Sequence, residues 1–375
     1  MTGIVLHDAT HGKLWVPLIL YRLYQKGGFM FRGVKKILAL VLSVTAVVGS
    51  IAFGGQGSTA YAADPVVVVI DPGHGGENLG TDYLPIPEKL YTMQVALYMK
   101  EELEQYNNVT VYLTHTQDID MDLDERAEFA KSVNADFLFS LHFNMSISHE
   151  LYGSEVWVPS TGMLYSQGYS AGNEFLTQFE QLGLFNRGIK TRIGSKGTDY
   201  YGIIKQCSLR DIPAVIVEHC HVDHINDVAN IQSQSKLKAL GVCDATAVAR
   251  YFGLEKRDGS VTYKDYAPLA VPVPEARVYN DTTAPLYLEA KLLNYNSTSR
   301  YATVELASLD NESPLQYYAF STDNGLTWST LQPWDKGQNR MTVTVNIRHG
   351  KKDTLLFKVM NLYDIATNSN PISLY

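Results

Sequence analysis

His74, Glu88, His142 and Glu218 are the residues of this 375-residue chain whose types and settings could do chemistry together. Residues 74, 142 and 218 each follow an apolar run of the kind that makes a buried strand, Val66–Ile70, Phe137–Leu141 and Ala214–Val217. Two imidazoles and two carboxylates gathered in a cleft are the inventory of a hydrolytic zinc site. Three N and O donors hold the ion and leave one position open, the ion acidifies water and polarises a carbonyl, and a carboxylate outside its shell takes the water's proton. On residue types alone, His74, His142 and one glutamate are the ligands and the other glutamate is the base, with the choice between Glu88 and Glu218 left open. The separations of 14, 54 and 76 residues contain no local metal motif such as H-E-x-x-H, so the fold must assemble the site.

The elements that would do so alternate in type. A strand over Val66–Ile70 precedes a helix after Glu88 with its apolar stripe at Leu90, Met93, Leu97, Met99 and Leu103. There follow a strand at Val109–Thr114, a helix at Leu123–Val133, strands at Phe137–Leu141 and Glu155–Val158, and a helix at Ala171–Leu184. A strand at Ala214–Val217 and a helix at Leu237–Phe252 close the run. Such alternation predicts an α/β domain, a twisted, largely parallel sheet flanked by helices, over residues 64–255. Ligands of such sheets bind at the carboxyl ends of the strands, where His74, His142 and Glu218 fall.

Four separated motifs in this order resemble the zinc-dependent N-acetylmuramoyl-L-alanine amidases of type 3, which are cell-wall hydrolases. They are V-V-V-V-I-D-P-G-H-G-G at Val66–Gly76, P-E-K at Pro87–Lys89, S-L-H-F-N at Ser140–Asn144 and P-A-V-I-V-E at Pro213–Glu218, with L-x-x-R ending at Arg126. The resemblance covers residues 64–253. It implies one Zn2+ held by His74, Glu88 and His142, with Glu218 as general base in cleaving the amide between N-acetylmuramic acid and the L-alanine of the stem peptide. Asn144 is expected to fix the strand end or meet substrate, and Arg126 to tie a helix to a carboxylate inside the fold. The sequence departs from the family at His219, His221 and His224, which offer either a second metal site or capping and packing roles. It departs again at His115, where the family commonly has Arg. Tyr200 and Tyr201 either line the substrate groove or pack, and Cys220 reads as a small buried residue.

Residues 256–280, with Pro268, Pro272 and Pro274, read as a linker, and 281–375 as a small all-β sandwich. Its strands are expected at Thr303–Leu306, Leu315–Ser321, Met341–Ile347 and Leu355–Val359, and the Asn324-Gly325 pair predicts a hairpin. S-x-D-x-G-x-T-W at Ser321–Trp328, with Asp281–Pro285, resembles bacterial immunoglobulin-like modules, which implies a spacer or a non-covalent wall contact. Trp328 and Trp334 either stack on sugars or fill the sandwich core.

Basic residues Arg32, Lys35 and Lys36, an apolar run Ile37–Phe53 and Ala60-Tyr61-Ala62 read as a signal peptide over 30–62, cleaved after Ala62, with a retained anchor as the rival reading because the apolar run is almost long enough to span. Translation is expected to start at Met30, with 1–29 an upstream extension. The whole chain has a formal net charge of −8, and the part after 62 has 25 Lys/Arg against 38 Asp/Glu, which argues against a nucleic-acid partner. Three cysteines make no disulfide framework. The expected partner is peptidoglycan, outside the membrane and with no span left after signal cleavage. The competing functions are a non-catalytic wall-binding or regulatory homologue and a zinc peptidase acting elsewhere on the stem peptide.

Overall fold

A computed structural model describes residues 3–7, 13–17, 64–81, 83, 87–347 and 354–374. The expected signal segment 30–62 lies outside the described residues. The chain divides into units of residues 1–62 and 63–375. In the first, β1 (Gly3–His7) and β2 (Lys13–Pro17) pair as an antiparallel hairpin.

The second unit begins with an α/β part. Its strands are β3 (Val66–Pro72), β4 (Val109–Leu113), β5 (Phe137–Asn144), β6 (Ser154–Trp157), β7 (Asn186–Lys190) and β8 (Ala214–His221). They form one sheet in the order β4-β3-β5-β8-β6-β7, parallel throughout except that β6 runs antiparallel to β8. Side chains alternate across it, so Val68 and Ile70 enter one core and Val69 the other. The larger core is covered by α1 (Glu88–Leu103), α3 (Gly162–Gln181) and α6 (Gln234–Tyr251). The smaller is covered by α2 (Leu123–Ser132) and α4 (Gly202–Ser208), while the single turn α5 (Ile225–Val228) follows β8.

Several elements depart from the sequence reading. In α1 the buried face is Thr92, Val95, Ala96, Met99 and Leu103, whereas Leu90 and Leu97 are exposed. The helix buries small residues because α6 lies against it: a Cβ on Gly241 would stand 2.6 Å from the Tyr98 Cβ. Helix α3 starts nine residues before Ala171, through Gly168 and Ser170. Small residues let it lie close to β6 and the residue after it, since a Cβ at Gly172 would come within 3.0 Å of Val156 and one at Gly168 within 3.1 Å of Val158. Helix α2 is closed by a capping box in which Asp122 accepts from the Glu125 amide and Glu125 from the Asp122 amide.

Beyond α6 the chain crosses the α/β part without regular structure, and the expected linker is pinned rather than loose. Val278 donates to the Ser160 carbonyl, Ser166 donates to that of Pro272, and Arg277 reaches Ser160 Oγ. The remainder is all-β, two sheets packed face to face. One holds β9 (Tyr287–Asn296), β10 (Tyr301–Leu309) and β13 (Arg340–Asn346), in the order β13-β10-β9. The other holds β11 (Leu315–Ser321), β12 (Gln332–Pro333), β14 (Thr354–Asn361) and β15 (Ala366–Asn368), with β16 (Ile372–Ser373) also on β14. Val304 and Leu306 of one sheet meet Phe357 and Val359 of the other in a shared core. Asn324 and Gly325 are both at positive φ, 64° and 85°, and lie in the connection 322–331 between the antiparallel strands β11 and β12, a longer link than a two-residue hairpin. Trp334 is buried in the core, while Trp328 is half-buried with Lys358 Nζ 5.0 Å from its ring centre.

Candidate metal centre and active site

The D-P-G-H turn leaving β3 is held in a strained form. His74 sits at φ 69°, a left-handed conformation unusual for a residue with a side chain. Arg126 of α2 fixes it. Its guanidinium donates to Asp71 Oδ1 at 2.8 Å, the Pro72 carbonyl at 2.8 Å, the His74 carbonyl at 2.7 Å and the Met121 carbonyl at 2.9 Å. Asp71 is buried and also accepts from Thr114 Oγ1 and Ser140 Oγ. Arg126 therefore ties a helix to an internal carboxylate, with the added task of holding the backbone of a candidate ligand.

His74 Nε2, Glu88 Oε1 and His142 Nδ1 then converge, with separations of 3.0 Å (His74 to Glu88), 3.1 Å (His142 to His74) and 3.3 Å (His142 to Glu88). Among the described residues this is the cluster able to hold a metal ion. The edges of a tetrahedron around zinc, with donors at roughly 2.0–2.1 Å, are roughly 3.3 Å, so the triangle fits that ion. Outer contacts aim the donors. Asn78 Oδ1 lies 2.9 Å from His74 Nδ1, which places the proton there and leaves Nε2 its lone pair. Glu88 Oε2 accepts from the Thr81 amide at 2.8 Å and Oε1 from the Phe143 amide at 2.9 Å. Burial alone would raise the Glu88 pKa, but the His142 and His74 contacts more than offset it and hold the carboxyl well below its ordinary range. Two glycines make room: a Cβ at Gly73 would stand 2.4 Å from His142 Cε1, and one at Gly80 2.4 Å from Glu88 Oε2.

Glu218 lies one strand over. Its Cα pairs with that of His142 across β5 and β8, and with that of Glu155 across β8 and β6. Residues so paired share a face of the sheet. Glu218 Oε2 is buried with no hydrogen-bond partner, and burial, reinforced by the charges of Glu88 and Glu155, pushes its pKa well above the carboxylate range. A carboxylate raised in this way and beside a donor triangle is suited to proton transfer.

Glu155 is a residue that the sequence reading does not single out. It accepts from Lys190 at 2.6 Å and Arg187 at 2.8 Å through Oε2, and from Asn144 at 2.9 Å and Trp157 at 3.2 Å through Oε1. Burial would raise the Glu155 pKa, yet the Lys190 and Arg187 charges bring it below the ordinary range. Asn144 is thus bonded to Glu155 and, through Oδ1, to the Met145 amide. The available signal is a glutamate inside an apolar strand, followed by a strand carrying Arg187 and Lys190.

The histidine run makes no second cluster with the metal donors among the described residues. His219 Nδ1 meets the His142 carbonyl at 2.9 Å and Nε2 meets Asp244 at 2.9 Å. His221 Nδ1 bonds the Gly153 carbonyl, and His224 Nδ1 accepts from the Asn226 amide at the start of α5. His115 contacts Thr114 Oγ1, and the nearby ion pair is Lys89 with Asp118 at 2.6 Å. Cys207 and Cys220 are buried, Cys243 is half-buried, and none is in a disulfide. Tyr201 packs on Trp157, whereas Tyr200 is exposed with the Arg192 guanidinium 3.8 Å from its ring centre. No described helix is long and apolar enough to cross a membrane.

Residues 68–250 match the family model described as N-acetylmuramoyl-L-alanine amidase, and that match supports the family for the α/β part. The chain is 28% identical over 201 residues to N-acetylmuramoyl-L-alanine amidase CwlM of Bacillus licheniformis, covering 53% of this chain and 73% of that protein. It is 27% identical over 201 residues to a sporulation-specific N-acetylmuramoyl-L-alanine amidase of Bacillus subtilis strain 168, again covering 53% and 73%. Among solved structures, the catalytic domain of CwlV, an N-acetylmuramoyl-L-alanine amidase from Bacillus (Paenibacillus) polymyxa var. colistinus, aligns over 50% of this chain and 98% of its own. The identity is 24% and the TM-score 0.44. The family match ends before the all-β part begins.

Proposed function

We propose that the protein is an exported peptidoglycan hydrolase that cleaves the amide between N-acetylmuramic acid and the L-alanine of the stem peptide. The observation that carries this reading is the convergence of His74, Glu88 and His142 within a segment matching the amidase family, with Glu218 paired to His142 on the next strand. His74 Nε2, Glu88 Oε1 and His142 Nδ1 would hold one Zn2+. When bound, the ion supplies Lewis-acid polarisation of the amide carbonyl and a lowered pKa for water.

The chain's own groups do the rest. Glu218 takes a proton from the attacking water and returns it to the departing L-alanine nitrogen, so one carboxylate serves as base and then acid. Its Oε2 is buried with no hydrogen-bond partner, so nothing in the fold competes for the proton the carboxyl carries. Arg126 and Asn78 keep His74 in position, and the Thr81 and Phe143 amides keep Glu88 directed. The all-β part is read as an immunoglobulin-like module in non-covalent contact with the wall. The location is extracytoplasmic, with 30–62 as the leader.

Incubation of the protein with muropeptides, with and without a chelator and with zinc restored, tests this by mass spectrometry. Free stem peptide with an N-terminal L-alanine, lost on chelation and recovered with zinc, is the expected product. Cleavage between stem-peptide residues would instead establish a peptidase, and zinc binding with no cleavage would favour a wall-binding homologue.

A further inference from the structure

Beside the candidate centre, between the α/β and all-β parts, the protein holds a hollow of about 780 Å3. His74, Glu88, His142 and Glu218 do not line it, but their neighbours do. Asn144, two residues from His142, lies in its lining, as does Glu155, whose Cα pairs with that of Glu218. Tyr201 lies in it too, near enough to Glu218 to feel its charge. The far wall comes from the other part of the unit: Tyr363, Asp364 and Ile365 in the turn after β14, and Thr282 at the end of the pinned crossing.

The two parts are joined at the hollow by buried polar bonds. Arg187 donates to Glu155 on its own side at 2.8 Å and to Asp364 Oδ2 at 2.7 Å and Tyr317 OH at 3.2 Å across the joint. Tyr317 OH in turn donates to the Tyr152 carbonyl. A wall held by a buried guanidinium is fixed relative to the centre.

The chemistry of the lining is specific. Arg187 is fully committed, whereas Arg192 lies against the Tyr200 ring and is hydrogen-bonded to Tyr201, with no carboxylate partner among the described residues. The other oxygen of Asp364, Oδ1, is buried with no hydrogen-bond partner. Ile147 stands at the rim with 99% of its surface exposed. The hollow therefore offers a cation beside apolar surface, which together match a peptide bearing a carboxylate.

We propose that this hollow is the subsite for the peptide arm beyond the scissile amide, with Arg192 receiving a peptide carboxylate. The all-β part is then a wall of the active site. The identity of the peptide rests on the amidase reading above.

The test uses the whole zinc-loaded protein with muramoyl-pentapeptide and muramoyl-L-alanine as substrates. Arg192→Ala, and Thr282→Trp which fills the hollow from an exposed position, raise KM for the pentapeptide about tenfold more than KM for the single-residue substrate. Arg192→Lys recovers part of the difference. Equal effects on the two substrates, or none, overturn the proposal. Calorimetric binding of the free pentapeptide is a second reading that needs no turnover. Both variants weaken it about tenfold, and unchanged affinity overturns the subsite. A protein that binds pentapeptide through Arg192 but cleaves neither substrate would instead overturn the amidase reading and leave the subsite standing.

Discussion

Replacing Arg126 with Met separates the clamp on the His74 turn from the candidate metal donors themselves. The side chain is 4% exposed, and its partner Asp71 is 1% exposed. Removing the cation leaves a buried carboxylate with only the Thr114 and Ser140 hydroxyls to satisfy it. Breaking a buried pair from one side costs about 3–5 kcal/mol. For a unit of this size that corresponds to a fall in Tm of roughly 5–8 °C, measured by calorimetry on zinc-free protein so that ion binding adds nothing. The same change releases the His74 carbonyl from its 2.7 Å bond and lets a residue at φ 69° relax. Zinc affinity, read by competition with a chromophoric chelator, then falls about 10- to 100-fold, the range for losing an outer-shell partner. Because the orphaned charge causes most of the stability loss, Asp71→Asn in the same molecule restores a large share of Tm. It does not restore zinc affinity, since the His74 carbonyl remains unheld. A stability loss below about 1 kcal/mol, or a double variant no more stable than Arg126→Met, would refute the argument.

Glu218→Gln should retain zinc stoichiometry by metal analysis yet lose turnover by a factor of about 10² or more, and an active variant would remove Glu218 from the role of base. With the Glu218 pKa raised by burial and by Glu88 and Glu155, the base is protonated at acid pH, so the acidic limb of kcat/KM should lie above the ordinary carboxylate range; a limb within that range contradicts the assignment. Gly73→Ala should weaken zinc binding about tenfold or more by displacing the His142 ring, with far-ultraviolet circular dichroism unchanged. His221 is held neutral, its pKa lowered to about 4 by burial and by Arg187. The unfolded chain therefore binds more protons below about pH 6.5, and stability falls as pH drops from there toward 4. His221→Gln should flatten that part of the Tm profile, and an unaltered slope would exclude His221 as its source.

The parts of the site most legible in the sequence are those that local chemistry dictates. Buried strands announce themselves as β-branched and apolar runs, so the strand ends carrying His74, His142 and Glu218 are legible from residue types alone. Elements whose stability comes from distant partners are harder to read. Asn186-Arg187-Gly188-Ile189-Lys190 has the composition of a polar turn, and it is a strand because Glu155 on its neighbour neutralises two of its side chains. The first turns of α3 look like a loop because glycines and serines have low helix propensity, yet close packing on β6 requires them. Asn78 is silent in the sequence for a similar reason. Nothing local distinguishes an asparagine that orients a histidine from one that merely turns the chain.

The bond from Arg187 to Asp364 also bears on how freely this chain can exchange parts. Terminal β modules are often treated as beads that recombination or engineering can swap at a linker. Here a cut within 256–280 that grafted an unrelated module would bare a buried guanidinium already committed to Glu155, together with Asn144 and Lys190 behind it. A viable chimera must bring an acceptor for that cation or change residue 187 at the same time. The joint thus makes the two halves one inheritable piece, and shuffling that ignores it should yield insoluble protein.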